Sequence, residues 1–210
     1  MTEEEIILRE FQTGDLRQVA NITASSFRES LLKLKKLPES EMADFLIETG
    51  EVSPFPFPGY IVAESSGEIL GVIILAWHKQ NQPKARFQIS KVLHYGLLTT
   101  IKLLVERFIF PEKPKKGACH VVEIAVKQQA RRTGIATKLM CCGKEIALKN
   151  GLSKYTLNVE STNATAFNFY KKLGFRIEKR HHNLLARWLM GVKEWYFMSQ
   201  NIGSSKQQSI

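Results

Sequence analysis

Apolar and polar positions change period along this chain, and the changes mark out its elements. The run Ile6-Ile7-Leu8-Arg9-Glu10-Phe11 predicts a first strand. Thr13-Gly14-Asp15 supplies a turn and a helix cap, after which Leu16, Val19, Ala20, Thr23 and Phe27 recur at helical spacing. Pro38-Glu39-Ser40-Glu41 carries start signals for a second helix over about 39–48, with Met42, Phe45 and Leu46 on one face. The prolines of Pro54-Phe55-Pro56-Phe57-Pro58-Gly59 exclude regular structure, leaving a rigid apolar loop. Tyr60 to Glu64 and Ile69 to Trp77 form a hairpin about Ser65-Ser66-Gly67-Glu68. Its second arm is apolar almost throughout, as expected of a strand covered on both faces.

Residues 79–117 break this order. A helical stripe of Val92, Leu93, Leu97, Leu98, Ile101, Leu104, Val105 and Phe108 is interrupted near Tyr95-Gly96. Lys91, His94, Lys102, Glu106 and Arg107 intrude too often for a membrane span. The stripe reads as a covering helix of the same domain, with a membrane-surface or homodimer contact as alternatives. After a basic loop over 111–117, Ala118 to Val126 is a strand, and a helix over 132–149 stops at Asn150-Gly151. Tyr155 to Val159 is a strand, Ala164 to Leu173 a helix closed by Gly174, and strands start at Phe175 and Glu194. The last is predicted to end at Met198, with a polar tail from Ser199. The pattern predicts an α/β (α+β) fold: one domain over 1–200, an insertion at 79–117, and a mobile tail at 201–210.

The unit over 121–149 carries the clearest chemistry. Val122, Ile124 and Val126 alternate along a strand; strict alternation then puts Glu123 on the opposite face and His120 out of phase with Glu123. A polar connection leads to Gly134-Ile135-Ala136, where a helix begins with Ile135, Leu139, Ile146 and Ala147 inward. Such a helix start leaves backbone N–H groups unpaired, with the positive end of the helix dipole behind them, and so makes an anion cradle. A glycine at 134 lets phosphate oxygens approach the backbone, and Arg131 and Arg132 add charge at the rim. No GK[ST] follows, which excludes a P-loop, and a dinucleotide fingerprint would need two more glycines.

Charge and composition narrow the partners. A chain of 210 residues with 44% hydrophobic positions suits one globular domain. A net charge of +10 admits nucleic acid, coenzyme A or an acidic substrate surface. Lys113, Lys115, Lys116, Lys171, Lys172, Arg176, Lys179 and Arg180 cluster late in the chain, but no base-reading helix or stacking motif accompanies them, which disfavours nucleic acid. The acidic start, Met1-Thr2-Glu3-Glu4-Glu5, is unlike a secretory signal, so a cytoplasmic location is expected. Cys119, Cys141 and Cys142 have no metal or CxxC spacing; they read as free thiols, the latter two as buried small residues within a helix. His181-His182 lacks supporting ligands, so no metal site is expected.

The segment Arg131-Arg132-Thr133-Gly134-Ile135-Ala136 fits the (Q/R)xxGx(G/A) motif, and Asn163 with Tyr170 and Gly174-Phe175 fits an N-x6-Y-x3-GF segment about 30 residues downstream. Together these resemble the GNAT superfamily of acyl-CoA N-acyltransferases. The resemblance is loose over 6–80 and good over 118–180. It implies a central mixed, mostly antiparallel twisted sheet of about 6–7 strands with helices on both faces and a helical insertion before the fourth strand. It implies acetyl-CoA as co-substrate and an amine as acceptor, either a protein N-terminus, a lysine or a small molecule. Backbone groups of Ile124, Ala125 and Val126 would pair with the pantetheine arm, and the Val126 N–H would polarise the thioester carbonyl. The N–H groups of Arg132, Thr133, Gly134, Ile135, Ala136 and Thr137 would hold the pyrophosphate, beside Arg131. Asn163 would bond the arm, and Tyr170 would protonate the leaving thiolate.

A base is also needed. Glu123 is the first candidate, His120 the second, and proton loss through water the third. Ribosomal-protein acetyltransferases of this superfamily are expected to carry a glutamate where this chain has Asn158, which cannot act as a base. Two other classes remain: a catalytically silent acyl-CoA sensor or scaffold, and a nucleic-acid-binding module.

Overall fold

In the computed structural model, residues 5–26, 39–81, 93, 95, 114–182 and 194–203 are described. β1 (Ile7–Glu10) leads through a short 3-10 turn into α1 (Leu16–Ser26), and α2 (Glu39–Thr49) follows. The hairpin β2 (Tyr60–Ser65) and β3 (Glu68–Trp77) precedes β4 (Ala118–Val126) and α3 (Ile135–Lys149). β5 (Lys154–Glu160), α4 (Ala164–Lys172), β6 (Arg176–His182) and β7 (Glu194–Asn201) complete the chain. The seven strands form one sheet in the order β1-β2-β3-β4-β5-β7-β6. Only β4 and β5 are parallel; the other pairs are antiparallel.

Two apolar layers sandwich the sheet. Val19, Ala20 and Ile22 of α1 and Met42, Phe45 and Leu46 of α2 pack on Tyr60, Val62, Val72, Ile74 and Ala125. On the other face Ile135, Leu139, Met140 and Ala147 of α3 and Tyr170 of α4 cover Ile73, Leu75, Val121, Leu157 and Met198. Full burial of one such large side chain stabilises the fold by about 1.5–3 kcal/mol. α3 lies closest at Gly143, where an added Cβ would stand 2.3 Å from Tyr155 Oη. The stop at Asn150-Gly151 closes as predicted, with Gly151 at φ +70° and Leu152 N bonding Ala147 O at 3.0 Å.

Two boundaries and one burial differ from the sequence reading. α3 starts at Ile135 instead of 132, because Arg131 is extended and Arg132 and Gly134 have positive φ. β7 runs to Asn201, with Ser199 paired to both Thr156 and Arg176, so those residues are sheet and not tail. Cys141 is exposed and Cys142 only half-buried, since α3 presents that side to solvent. Phe27, most of the 79–117 insertion, 183–193 and the tail beyond 203 lie outside the described residues. From the insertion, Tyr95 packs edge-on against Phe45 and donates to Glu48 Oε2 at 2.5 Å, which joins that point to α2.

Candidate active site

β4 and β5 pair only from Ala118↔Lys154 to Val121↔Leu157, although β4 continues to Val126 and β5 to Glu160. Beyond Val121 and Leu157 the strands part, and a fork opens in the middle of the sheet. Parallel neighbours that separate leave backbone groups on both edges available to an extended ligand. The mouth of the fork is the loop between β4 and α3.

That loop presents a run of backbone donors. Its helix N-cap is Gly134, at φ +86°, with no side-chain cap. The first intrahelical bond is Lys138 N to Gly134 O at 3.0 Å, and the N–H groups of residues 132–137 have no protein acceptor among the described residues. Six successive donors stand at the positive end of a helix of 15 residues, an arrangement that suits an anion. An added Cβ at Gly134 would meet no atom within 4 Å, so it is the backbone angle, not crowding, that favours glycine there, and the space above the loop is open. Arg131, though exposed, reaches back across the loop: its Nε donates to Val126 O at 3.2 Å and its guanidinium approaches Ser26 of α1. Arg132 stays exposed, and Thr133 Oγ1 donates to Ala130 O at 2.7 Å, tightening the loop.

A β-bulge changes the faces of β4. Ile74 pairs with Glu123 and Leu75 with Val121, so Val122 is the extra residue. Strict alternation therefore fails. Val122 and Glu123 both lie on the α1 face, the one that Ile74 and Ala125 share, while Ile124 and Val126 lie on the α3 face. His120, paired with Ala76, falls on the α1 face as well. The two base candidates thus share a face, contrary to the expected phase.

Their surroundings differ. Thr23 Oγ1 on α1 donates to Glu123 Oε1 at 2.5 Å. Tyr60, two strands away on the same face, has a hydroxyl with no hydrogen-bond partner among the described residues; burial first and the Glu123 charge second raise its pKa. His120 Nδ1 lies 2.9 Å from Thr156 Oγ1, and its ring runs parallel to Phe197 at 6.3 Å. Burial lowers the imidazole pKa to about 4, so the ring is neutral at physiological pH.

Across the sheet, Tyr170 of α4 is buried with Val126, Leu157 and Val159, against Phe175. Burial raises its pKa to about 12. Asn163 is the N-cap of α4, its Oδ1 accepting from Ala166 N at 3.0 Å. That capping role is readable from an asparagine before an apolar helix, and it leaves Nδ2 free to donate. The neighbouring Asn158 is exposed on β5, beyond the fork's apex. Cys119 is fully buried and its thiol is pushed up to about 12, which makes it a poor nucleophile. Among the described residues no group of three His, Cys, Asp or Glu could hold a metal, and no helix is long and apolar enough to cross a membrane.

Comparison with known proteins agrees with this geometry. Residues 18–175 match the acetyltransferase (GNAT) family. An N-alpha-acetyltransferase of Sulfurisphaera tokodaii is 31% identical over 160 residues, spanning 73% of this chain and 78% of that protein. The fold is similar to that of the ribosomal-protein-S18-alanine N-acetyltransferase from Escherichia coli, with a TM-score of 0.56 at 15% identity, covering 98% of this chain and 99% of that one. It is also similar to the PaiA N-acetyltransferase from Thermoplasma acidophilum, solved in complex with coenzyme A, with a TM-score of 0.53 at 14% identity, covering 94% and 99%. The chain belongs to the acetyltransferase (GNAT) family and is an acyltransferase.

Proposed function

We propose that the protein transfers the acetyl group of acetyl-CoA to the α-amino group of a polypeptide, by direct attack of the amine on the thioester. The observation that carries this reading is the run of six N–H groups, unpaired among the described residues, at the mouth of the β4–β5 fork. In it the N–H groups of residues 132–137 hold the pyrophosphate, with Arg132 at the rim. Arg131 acts from behind, bracing the end of β4 through Val126 O. The pantetheine arm runs down the fork beside Ile124, Ala125 and Val126, and Asn163 Nδ2 donates to it. From Val126 to Val122 a strand advances about 13 Å at roughly 3.3 Å per residue, so the arm brings the thioester to the bulge near the apex. There the ladder is interrupted, and a backbone N–H of the bulge can polarise the carbonyl.

The proton transfers then have donors and acceptors on opposite faces. As the C–N bond forms, the attacking nitrogen becomes acidic and gives its proton to neutral His120, with Glu123 on the same face to offset the resulting positive charge. As the C–S bond breaks, Tyr170 protonates the thiolate; its raised pKa keeps the hydroxyl protonated throughout the working range.

The choice of acceptor takes its support from the cost of a neutral amine and from a similar protein. Presenting an alkyl amine of pKa ~10.4 in neutral form at pH 7 costs about 4–5 kcal/mol, whereas an α-amino group of pKa ~7.7–8.0 costs about 1 kcal/mol. The 31% identical N-alpha-acetyltransferase supports the same acceptor. The test is release of free thiol from acetyl-CoA in the presence of peptides with free N-termini, lysine-bearing peptides with blocked N-termini, and small amines. Turnover confined to the first group is expected. Stabilisation by coenzyme A without turnover on any amine would instead identify a sensor.

A further inference from the structure

Thr156 lies beside His120 on the rung just below the apex of the fork, where β4 and β5 are still paired. Among the described residues its hydroxyl has two hydrogen-bonding neighbours: the Cys119 carbonyl oxygen at 3.2 Å and His120 Nδ1 at 2.9 Å. A hydroxyl has one proton to donate, and a carbonyl oxygen can only accept. With that proton on the Cys119 carbonyl, Thr156 Oγ1 presents a lone pair to Nδ1, and Nδ1 must carry hydrogen. Which imidazole nitrogen is protonated is set by the bond the other groups impose on it.

We propose that Thr156 is a positioning residue that locks His120 in the Nδ1–H tautomer, leaving Nε2 as the only proton acceptor of the ring. An isolated histidine side chain favours the opposite tautomer, with hydrogen on Nε2 and the lone pair on Nδ1. In this site that form would turn the lone pair into the strand pair, towards Thr156, and leave nothing to receive a proton. Three features hold the locked form. The Cys119 carbonyl fixes the hydroxyl, the parallel Phe197 ring limits rotation of the imidazole, and burial keeps the ring neutral, which is the state in which the tautomer matters. The functional part of the proposal rests on His120 as the proton acceptor; the tautomer itself does not.

The test combines 15N NMR of the histidine side chains with steady-state kinetics on the full chain and its Thr156→Val, Thr156→Ser and His120→Gln variants. The His120→Gln spectrum identifies the His120 signals among the five histidines. The wild type is expected to show a protonated Nδ1 and an unprotonated Nε2. Thr156→Val moves hydrogen to Nε2 and lowers kcat by roughly ten- to a hundredfold, with KM for acetyl-CoA unchanged, as is usual when a partner that orients a functional imidazole is lost. Thr156→Ser restores both tautomer and kcat, and carries the test even where the valine variant folds poorly. A wild-type His120 protonated at Nε2, or a Thr156→Val variant that keeps the Nδ1–H form, overturns the lock. A shifted tautomer with unchanged turnover supports the lock and overturns the role given to His120.

Discussion

Thr23 Oγ1 donates to Glu123 Oε1 at 2.5 Å, and through that bond the first helix grips the strand that borders the fork. The contact spans 100 residues of sequence and exists only because the bulge at Val122 turns Glu123 towards α1. A hydrogen bond to a charged acceptor contributes about 1.5–3 kcal/mol. Thr23→Val is therefore expected to lower the unfolding free energy by about 1–3 kcal/mol in urea titrations, and Thr23→Ser by much less. Glu123→Gln keeps the bond and removes the charge, so its main effect falls on kcat. An unaltered kcat in that variant would remove Glu123 from the chemistry.

Gly134 tests the cradle. Its φ of +86° lies where an L side chain costs about 1–2 kcal/mol. Gly134→Ala is expected to lower Tm by about 2–8 °C in a chain of this length. It should also abolish most of the stabilisation that coenzyme A gives the wild type in thermal-shift measurements. Retained stabilisation would place the pyrophosphate elsewhere.

Tyr170 tests the leaving-group step. Tyr170→Phe removes the proton donor without changing the packed ring, so kcat should fall by about 10²-fold while KM for acetyl-CoA holds. Because burial raises the hydroxyl's pKa to about 12, the wild-type kcat shows no alkaline loss assignable to Tyr170 below about pH 11.

His120 gives a pH signature of stability. Its folded pKa of about 4 is below the unfolded value near 6.5, so between those limits the unfolded chain binds more protons. The contribution of neutral His120 is complete above about pH 6.5 and is lost as pH falls towards 4. Tm measured across that window should decline less steeply for His120→Gln than for the wild type. Equal slopes would contradict the burial argument.

How much of this was legible in the residues depends on how local the cause is. The span of β4 and the C-terminal stop of α3 followed from alternation and from Asn150-Gly151, both of them short-range signals. The glycine before an apolar helix located the loop, but the helix begins at Ile135, three residues later than the pattern placed it, because Arg132 and Gly134 take positive φ; the roles of the loop, Asn163 and Tyr170 belong to the proposed function. The bulge was not. Val121-Val122-Glu123 contains no glycine or proline, and the extra residue is set by the register of β3 against β4, a tertiary property. That one-residue shift moved Val122 to the face of Glu123 and brought His120 into phase with it. Thr156 was missed for the same reason: its partner at 36 residues' separation becomes visible only when β5 is laid beside β4. Cys141 and Cys142 show the opposite failure, where a residue-type preference for burial gave way to the solvent side of α3.

The most direct measurement uses one peptide that carries both a free N-terminus and an internal lysine, incubated with acetyl-CoA and the 210-residue chain. Fragment-ion mass spectrometry then locates the added acetyl group. The account predicts enzyme-dependent acetylation at the N-terminal nitrogen alone, with one free thiol released per acetyl transferred. Acetylation at the lysine side chain, or no transfer despite bound coenzyme A, would contradict it.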